Sequence, residues 1–258
     1  MLTVISPAKR LNFQPARAPV PSSAPQFQAD AVALARTARR LSVAGLRELM
    51  SISEDLARLN QKRFRAFCET PDPDQTKPAV LAFAGDTYVG LEAGSLDADE
   101  MRWAQARLRI LSGLYGLLRP MDRIQPYRLE MGSRLATRRG KTLYQYWGQR
   151  IAVALNAAAA EAGAKALLNC ASVEYFSAVS RDMLDLPVIT PVFLDVKNGE
   201  AKIISFFAKK ARGAMARFVI QNRITDVEGL KDFDTGGYRY QTELSEGEKL
   251  VFRREAAV

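Results

Sequence analysis

Histidine is absent from the 258 residues of this chain, and cysteine occurs only twice, as Cys68 and Cys170. The lack of imidazole excludes every mechanism in which histidine is the acid, the base or a metal ligand. The two cysteines lack CxxC spacing, which is typical of buried thiols in a reducing compartment and not of a disulfide framework. The residues therefore favour a cytoplasmic protein with no metal site and no bound cofactor.

Long hydrophobic runs are also missing, since no stretch approaches the roughly 18 apolar residues that a membrane span requires. At the N-terminus, MLTVISPAKR has its basic residues after the apolar run, whereas a secretion signal has them before it. We therefore expect a protein that is neither secreted nor embedded in a membrane.

Positive charge is in excess, with 37 lysines and arginines against 28 acids and a net charge of +9. A basic surface attracts anions such as nucleic acid, nucleotides or phosphorylated metabolites. Apolar residues make up 48% of the chain, which at this length is ample for a buried core. Total charge does not choose among these anions, so the distribution of charge along the chain is more informative.

Hydrophobic spacing predicts both helices and strands. The predicted helices cover residues 26–40, 43–50, 54–67, 97–113, 145–162 and 208–223. The predicted strands cover residues 2–6, 79–84, 165–170, 188–196 and 200–207. Asn198 and Gly199 join the last two runs as a hairpin, and GYRYQTEL with KLVFRRE forms a second one. The Pro/Ser-rich stretch 15–25 is predicted to be a surface loop.

Strands and helices do not alternate regularly, and several strands are joined by hairpins. This order predicts an α+β fold in which helices cover a mixed sheet, not a doubly wound sheet. The sequence contains no internal repeat and no linker long enough to separate two domains.

The segment LRELMSISEDLARLN, residues 46–60, places two short helices around a very tight bend. It resembles a helix-hairpin-helix motif, in which backbone amides of the hairpin bind a DNA phosphate. Ser51 and Ser53 stand where that motif usually has glycine. The alternative is a capped corner, in which Ser51 and Glu54 form a capping box. Glu54 and Asp55 favour the corner, because their negative charges oppose a phosphate.

The segment KIISFFAKKARGAMARFVIQNRI, residues 202–224, is basic and contains no acid. Lys209 and Arg212 fall together on the flank of its predicted helix. A solvated outer face would usually carry glutamates for pairing along the helix. The segment is therefore a candidate anion site.

Two further stretches are candidates. The loop RPMDRIQPYRLEMG, 119–132, holds Arg128 and Glu130, which either bind a ligand or tie strands together. Lys9 comes just after the first strand, where ligand-facing residues commonly lie. GSRLATRRGKT ends like a phosphate loop, but Leu135 replaces the required glycine.

Long motifs resemble those of the YaaA family, a group of bacterial cytoplasmic proteins linked to resistance to peroxide stress. They are SPAK, GDTYVGL, LSGLYGLLRPMDRIQPYRLEMG, LYQYWG, NCASVEYF, FLDVKNGEAKIISFFAKKARGAMARFVIQNR and GYRY. The resemblance covers essentially residues 1–254. It departs at Arg10, where the family has threonine, and at Cys170, where the family has leucine.

The resemblance implies one domain, 1–258, of unusual topology, with a helix-hairpin-helix-like element at about 43–67 and a positively charged cleft. It also implies binding to duplex or structured DNA and a role in limiting iron-dependent oxidative damage. By position, the hairpin would bind DNA through Ser51, Ile52, Ser53, Arg58 and Lys62. With Glu130 and Arg217 added from the motifs above, the anion-binding cleft would comprise Lys9, Arg128, Glu130, Lys209, Lys210, Arg212 and Arg217.

Three hypotheses remain open. The first is a DNA-binding stress protein that holds phosphates without strong sequence specificity and has no evident protein partner. The second is an enzyme that acts on a small anionic or phosphorylated substrate; a deep pocket joining Lys9, Glu130 and Lys209 would favour it. A shallow basic groove continuous with the hairpin would favour DNA. The third, an iron-binding protein, is weakened by the absence of histidine.

Overall fold

A mixed β-sheet lies at the centre of the fold. The computed structural model describes residues 1–14, 22–197 and 199–255. The strands are β1 (Leu2–Ile5), β2 (Arg10–Leu11), β3 (Lys77–Pro78), β4 (Phe83–Ala84), β5 (Leu108–Ser112), β6 (Gly116–Leu118), β7 (Arg123–Ile124), β8 (Leu167–Cys170), β9 (Val188–Lys197), β10 (Glu200–Lys202), β11 (Arg239–Tyr240) and β12 (Lys249–Glu255). The α-helices are α1 (Gln28–Arg39), α2 (Val43–Met50), α3 (Glu54–Ala66), α4 (Ala79–Ala82), α5 (Asp86–Leu91), α6 (Ala98–Arg107), α7 (Leu143–Trp147), α8 (Arg150–Ala162), α9 (Val173–Phe176) and α10 (Ser205–Gln221).

Within those described ranges, eight strands form the main sheet in the order β11, β12, β9, β8, β1, β5 and β6, with β10 paired to β9. The strands β12, β9, β8, β1 and β5 run parallel to one another. The strands β6, β10 and β11 are antiparallel to their partners. Every residue of LTVI in β1, LRILS in β5 and LLNC in β8 is buried, as expected where both faces of a parallel sheet are covered. The predicted α+β fold with a mixed sheet is confirmed.

The direction of the chain through the sheet changes at β1. The chain leaving β1 goes on to β5, its neighbour on one side, whereas the chain leaving β8, its other neighbour, goes on to β9. The segments that leave the carboxyl ends of β1 and β8 therefore separate and leave a crevice between them. In sheets of parallel strands, such a crevice is the usual position of a ligand site.

The helices α5 and α10 touch through two glycines. A Cβ atom on Gly90 would overlap the carbonyl oxygen of Lys210, and one on Gly213 would overlap that of Thr87. The missing side chains let the two backbones approach closely. Because α10 also contacts β1, β8 and β9, this approach fixes α5 over the carboxyl end of β1.

The predicted helices 26–40, 43–50 and 54–67 are confirmed as α1, α2 and α3. Both predicted hairpins are confirmed as antiparallel pairs, β9 with β10 and β11 with β12. Asn198 of the first turn, and residues 15–21 of the predicted loop, lie outside the described residues.

Four predicted elements are wrong in part. The helix predicted for 145–162 is two helices, α7 and α8, because Gly148, with φ of 49°, ends the first of them. The helix predicted from Asp97 has its capping box with Glu100, but it ends at Arg107, and the next five residues form β5. The predicted strand 79–84 is mostly the helical turn α4, and only its last two residues pair, with β2. The strand predicted for 200–207 stops at Lys202, because α10 begins at Ser205. Short apolar runs fit a buried strand and a buried helix equally well, so their spacing does not separate the two.

Across the described part of the chain, the helices are too short or too polar to cross a membrane.

Candidate ligand site and candidate DNA-binding hairpin

A small cavity opens at the crevice beside the carboxyl end of β1. It is lined by residues that follow β1, by the loop after β7 and by one residue of α9: Pro7, Ala8, Lys9, Tyr127, Arg128, Leu129, Glu130 and Tyr175. Three of the predicted cleft residues, Lys9, Arg128 and Glu130, therefore come together. Their meeting place is the position that the strand order favours for a ligand.

Two cations approach a single oxygen of Glu130. Arg128 donates to Oε1 through Nε at 3.0 Å and lies within 2.9 Å of it through Nη2. The Lys9 Nζ atom lies 3.7 Å from the same oxygen. The Lys9 side chain is 66% exposed, whereas that of Glu130 is 13% exposed. The second oxygen, Oε2, is buried and has no hydrogen-bond partner among the described residues.

Buried tyrosines surround the carboxylate. Burial raises the pKa of Tyr127, and burial also raises the pKa of Tyr175, which lies near Tyr127 and Glu130. Both phenols are therefore protonated at neutral pH and can donate hydrogen bonds. The Tyr127 hydroxyl lies 2.6 Å from that of Ser112 at the end of β5.

The loops after β1 and β8 are tied together next to the cavity. Ser172 donates its amide to Ser6 Oγ at 2.8 Å, and Tyr88 of α5 donates its hydroxyl to the Ser6 carbonyl at 3.1 Å. Sequence reasoning did not select Ser6, Tyr88 or Tyr175. The signal that could have found two of them is their position just after β1 and β8, the same argument that selected Lys9.

Helix α10 contributes basic residues in three different environments. Lys209 and Lys210 are exposed, and neither is part of the cavity lining. Arg212 faces Cys170 at the end of β8; its Nε atom is buried without a partner among the described residues, and burial lowers its pKa. Arg217 donates to the carbonyls of Leu91 and Glu92, so it ties α10 to the end of α5. Of the seven predicted cleft residues, three line the cavity and the four on α10 do not.

The bend between α2 and α3 is a tight turn with exposed serines. Ser51 has φ of 50°, in the left-handed region, and closes α2. Its amide and that of Ile52 donate to carbonyls of α2. Ser53 is the N-cap of α3, where its side chain accepts a hydrogen bond from the Leu56 amide at 3.4 Å. The predicted capping box between Ser51 and Glu54 is wrong, because the capping residue is Ser53.

The charges around the bend are partly paired. Glu54 is in an ion pair with Arg58 one turn later on α3, and both side chains are exposed. Lys62, a further turn along the same helix, is exposed. Of the cations predicted to bind DNA here, Arg58 is therefore shared with a carboxylate.

The residues that the structure describes include no group of three or more cysteine or acidic side chains placed to hold a metal ion together.

Fold and site together define a class: an α+β protein whose mixed sheet carries a charged cavity at its topological switch point. The chain belongs to the family described as peroxide stress protein YaaA, whose family model matches residues 1–244. It is 61% identical over 254 residues to a UPF0246 protein of Ruegeria pomeroyi, covering 98% of each chain. It is 62% identical over 256 residues to a UPF0246 protein of Roseobacter denitrificans, again covering 98% of each chain. A UPF0246 protein of Jannaschia sp. is 61% identical over 257 residues, covering 100% of this chain and 98% of its own.

Proposed function

We propose that this protein binds duplex or structured DNA through phosphate contacts, without strong sequence specificity, as part of the response to peroxide stress. The family description, peroxide stress protein YaaA, fits the stress role. In the cell, the protein would limit iron-dependent oxidative damage. The observation that supports DNA binding is the turn between α2 and α3, in which Ser51 and Ser53 are exposed and Ile52 is half-buried.

The amino end of α3 is the proposed phosphate contact. The first amides of a helix have no intrahelical acceptor, and they attract anions together with the helix dipole. Ser53 caps one of these amides, that of Leu56, which leaves the amides of Glu54 and Asp55 at the exposed end of the helix. A phosphate placed there is bound through the backbone, and such a contact carries no sequence information.

Most of the attraction must come from outside the turn, because Glu54 and Asp55 are negative. The ion pair with Arg58 offsets the charge of Glu54. The exposed cations Lys62, Lys209 and Lys210 then supply the long-range attraction. Such attraction is sequence-independent and is driven by release of counterions from DNA.

The turn is tested by Ser53→Asp. Aspartate caps a helix about as well as serine, so α3 keeps its stability while the phosphate position gains a negative charge. We expect affinity for a short duplex, measured by fluorescence anisotropy at low salt, to fall about tenfold or more, as for loss of about 1.4 kcal/mol of binding free energy.

The matched control is Ser42→Asp, the same change at the N-cap of α2, where the exposed Ser42 accepts from the Gly45 amide at 3.1 Å. It adds the same charge at the opposite end of α2, and affinity should fall less than about threefold, a loss below about 0.7 kcal/mol. Equal losses in the two variants would show that net charge alone matters and that the turn is not the phosphate site.

A further inference from the structure

One aromatic ring, that of Phe206 on the first turn of α10, is displayed on the surface. Phe206 is 55% exposed, whereas every other aromatic side chain in the described ranges is buried or half-buried. Ile203, three residues earlier, is 60% exposed. Exposing two large apolar side chains side by side forgoes the free energy of burying them. Such a pair is therefore a candidate contact surface.

The exposed ring is supported by the residues beneath it. Phe207 packs against Phe206 in a T-shaped arrangement, with the ring centroids 5.4 Å apart. The guanidinium of Arg254 lies 4.6 Å from the centroid of Phe207, and Arg254 is fixed in turn by its ion pair with the buried Asp195. Phe207 is the one ring in the described residues that contacts Phe206, so at least one face of the Phe206 ring is free of aromatic neighbours. Phe206 thus offers a flat apolar surface that is already in place before a partner arrives.

The surroundings of the ring are basic. Lys209 and Lys210 follow Phe206 by three and four residues, so all three side chains are neighbours on the surface of α10. Both lysines are exposed. The chain has no aspartate or glutamate from residue 201 to residue 225. A partner of this surface must therefore combine a flat apolar group with negative charges close to it.

An unpaired base of DNA has this combination. The base offers a flat face that stacks on an aromatic ring, and the phosphates on either side of it meet the cations. A second copy of this chain fits less well, because two such surfaces would bring lysines against lysines. An anionic membrane also attracts lysines, but its binding grows with the apolar area that is buried, and Phe206 with Ile203 supplies little of it.

We infer that Phe206 is a stacking platform for an unpaired base of DNA, and that Lys209 and Lys210 contact the phosphates beside that base. The inference rests on the proposed function and adds a preference to it: DNA with unpaired bases binds more tightly than the intact duplex. The turn at Ser53 contacts a phosphate only, so it does not distinguish the two kinds of DNA.

The test compares two DNAs of equal length and equal charge. One is fully paired, and the other carries a short internal loop of unpaired adenines. The affinity of the full chain for each is measured by fluorescence anisotropy at low salt. We expect the looped DNA to bind about fivefold or more tightly, which is the effect of stacking one base on an aromatic side chain.

The discriminating variant is Phe206→Leu, which keeps an apolar side chain and removes the ring. Its preference for the looped DNA should fall below about twofold, and its affinity for the intact duplex should change by less than about twofold. Phe206→Trp supplies another ring and should keep the preference or increase it. Val153→Ala, at a side chain of α8 that is 52% exposed, should keep the wild-type preference.

The ratio of the two affinities within one variant separates stacking from a folding defect, because a defect weakens both DNAs alike. If the wild type binds neither DNA, the proposed function fails and this inference fails with it. Equal binding of the two DNAs by the wild type, or an unchanged preference in Phe206→Leu, would overturn the stacking platform and leave the proposed function standing. Phe206→Leu that keeps the preference but loses binding to vesicles containing phosphatidylserine would overturn it in favour of a membrane surface.

Discussion

Asp30 of α1 accepts three hydrogen bonds on one carboxylate oxygen, two of them from arginines. Its Oδ1 atom accepts from the Tyr146 hydroxyl at 2.8 Å, from Arg139 Nη1 at 2.6 Å and from Arg150 Nη1 at 2.7 Å. Burial alone would raise the pKa of this carboxyl, but the hydrogen bonds from Tyr146, Arg150 and Arg139 outweigh burial and lower it below 3.8. Asp30 thereby ties α1 to α7 and α8.

Asp30→Asn should therefore destabilise the protein in a pH-dependent way. The folded pKa lies below the unfolded one, so this carboxylate stabilises the fold fully above the unfolded pKa of about 3.8. The stabilisation is lost as pH falls through the lower, folded pKa. At pH 7 we expect a loss of about 2 kcal/mol in the free energy of unfolding by urea, shrinking towards pH 3. Asp182→Asn, at an exposed acid, is the control. A loss that stays the same at both pH values would contradict this role.

The two serines of the turn between α2 and α3 show how far residue type predicts a helix cap. Spacing located the bend correctly, but Ser51 and Ser53 are both small hydroxyl residues that favour caps. Which of them caps α3 depends on the backbone: Ser51 is left-handed, with φ of 50°, and Ser53 is extended. Residue type does not determine those angles, so the sequence alone predicts the cap at Ser51, whereas the capping residue is Ser53.

At the scale of elements, amphipathic surface helices were predicted well and buried elements less well. The helices α1 to α3 have one polar face, so their spacing is distinctive. The strand β5 is buried on both faces and follows α6 without a turn, so its apolar residues continue the helical spacing of α6. What makes β5 a strand and not a continuation of α6 is its pairing with β1. Strand β1 lies more than a hundred residues earlier in the chain, so local spacing does not reveal this pairing.

The crossing of α5 and α10 gives an element-scale prediction. Gly213→Ala should destabilise the protein by about 3 kcal/mol or more, because the new methyl group meets the rigid Thr87 carbonyl. Gly94→Ala is the matched control, since a Cβ atom there has nothing within 4 Å. It should be neutral or stabilise by up to about 1 kcal/mol. Thermal or urea unfolding measures both, and equal effects would show that the close crossing is not what requires glycine.

For the whole molecule, the fold class followed from the irregular order of elements, whereas the strand order did not. Local patterns say nothing about the pairing of β1 with both β5 and β8. The candidate cavity depends on that pairing, because Lys9, Glu130 and Tyr175 come from distant parts of the chain. Motifs identified Lys9, Arg128 and Glu130 as functional candidates, but only the topology brings them together and leaves Lys209 outside the lining.

Exposed lysines lie at both ends of the parallel strands of the main sheet. Lys209 and Lys210 lie on the first turns of α10, which begins beyond the carboxyl ends of β1 and β8. Lys165 and Lys249 are equally exposed but lie at the amino ends of β8 and β12, on the opposite edge. These two pairs carry the same charge and lie at opposite ends of the parallel strands.

The salt dependence of duplex affinity tests DNA binding most directly. With six to ten phosphate contacts, affinity should fall by roughly three to five orders of magnitude between 50 and 200 mM salt. Substituting Lys209 and Lys210 together by glutamine should make the plot of log affinity against log salt less steep, by up to about 2 units of slope. Substituting Lys165 and Lys249 together by glutamine should leave the slope unchanged. A flat salt response, or no duplex binding at low salt, would contradict the proposed function; equal slopes in the two double variants would contradict the placement of the contacts on α10.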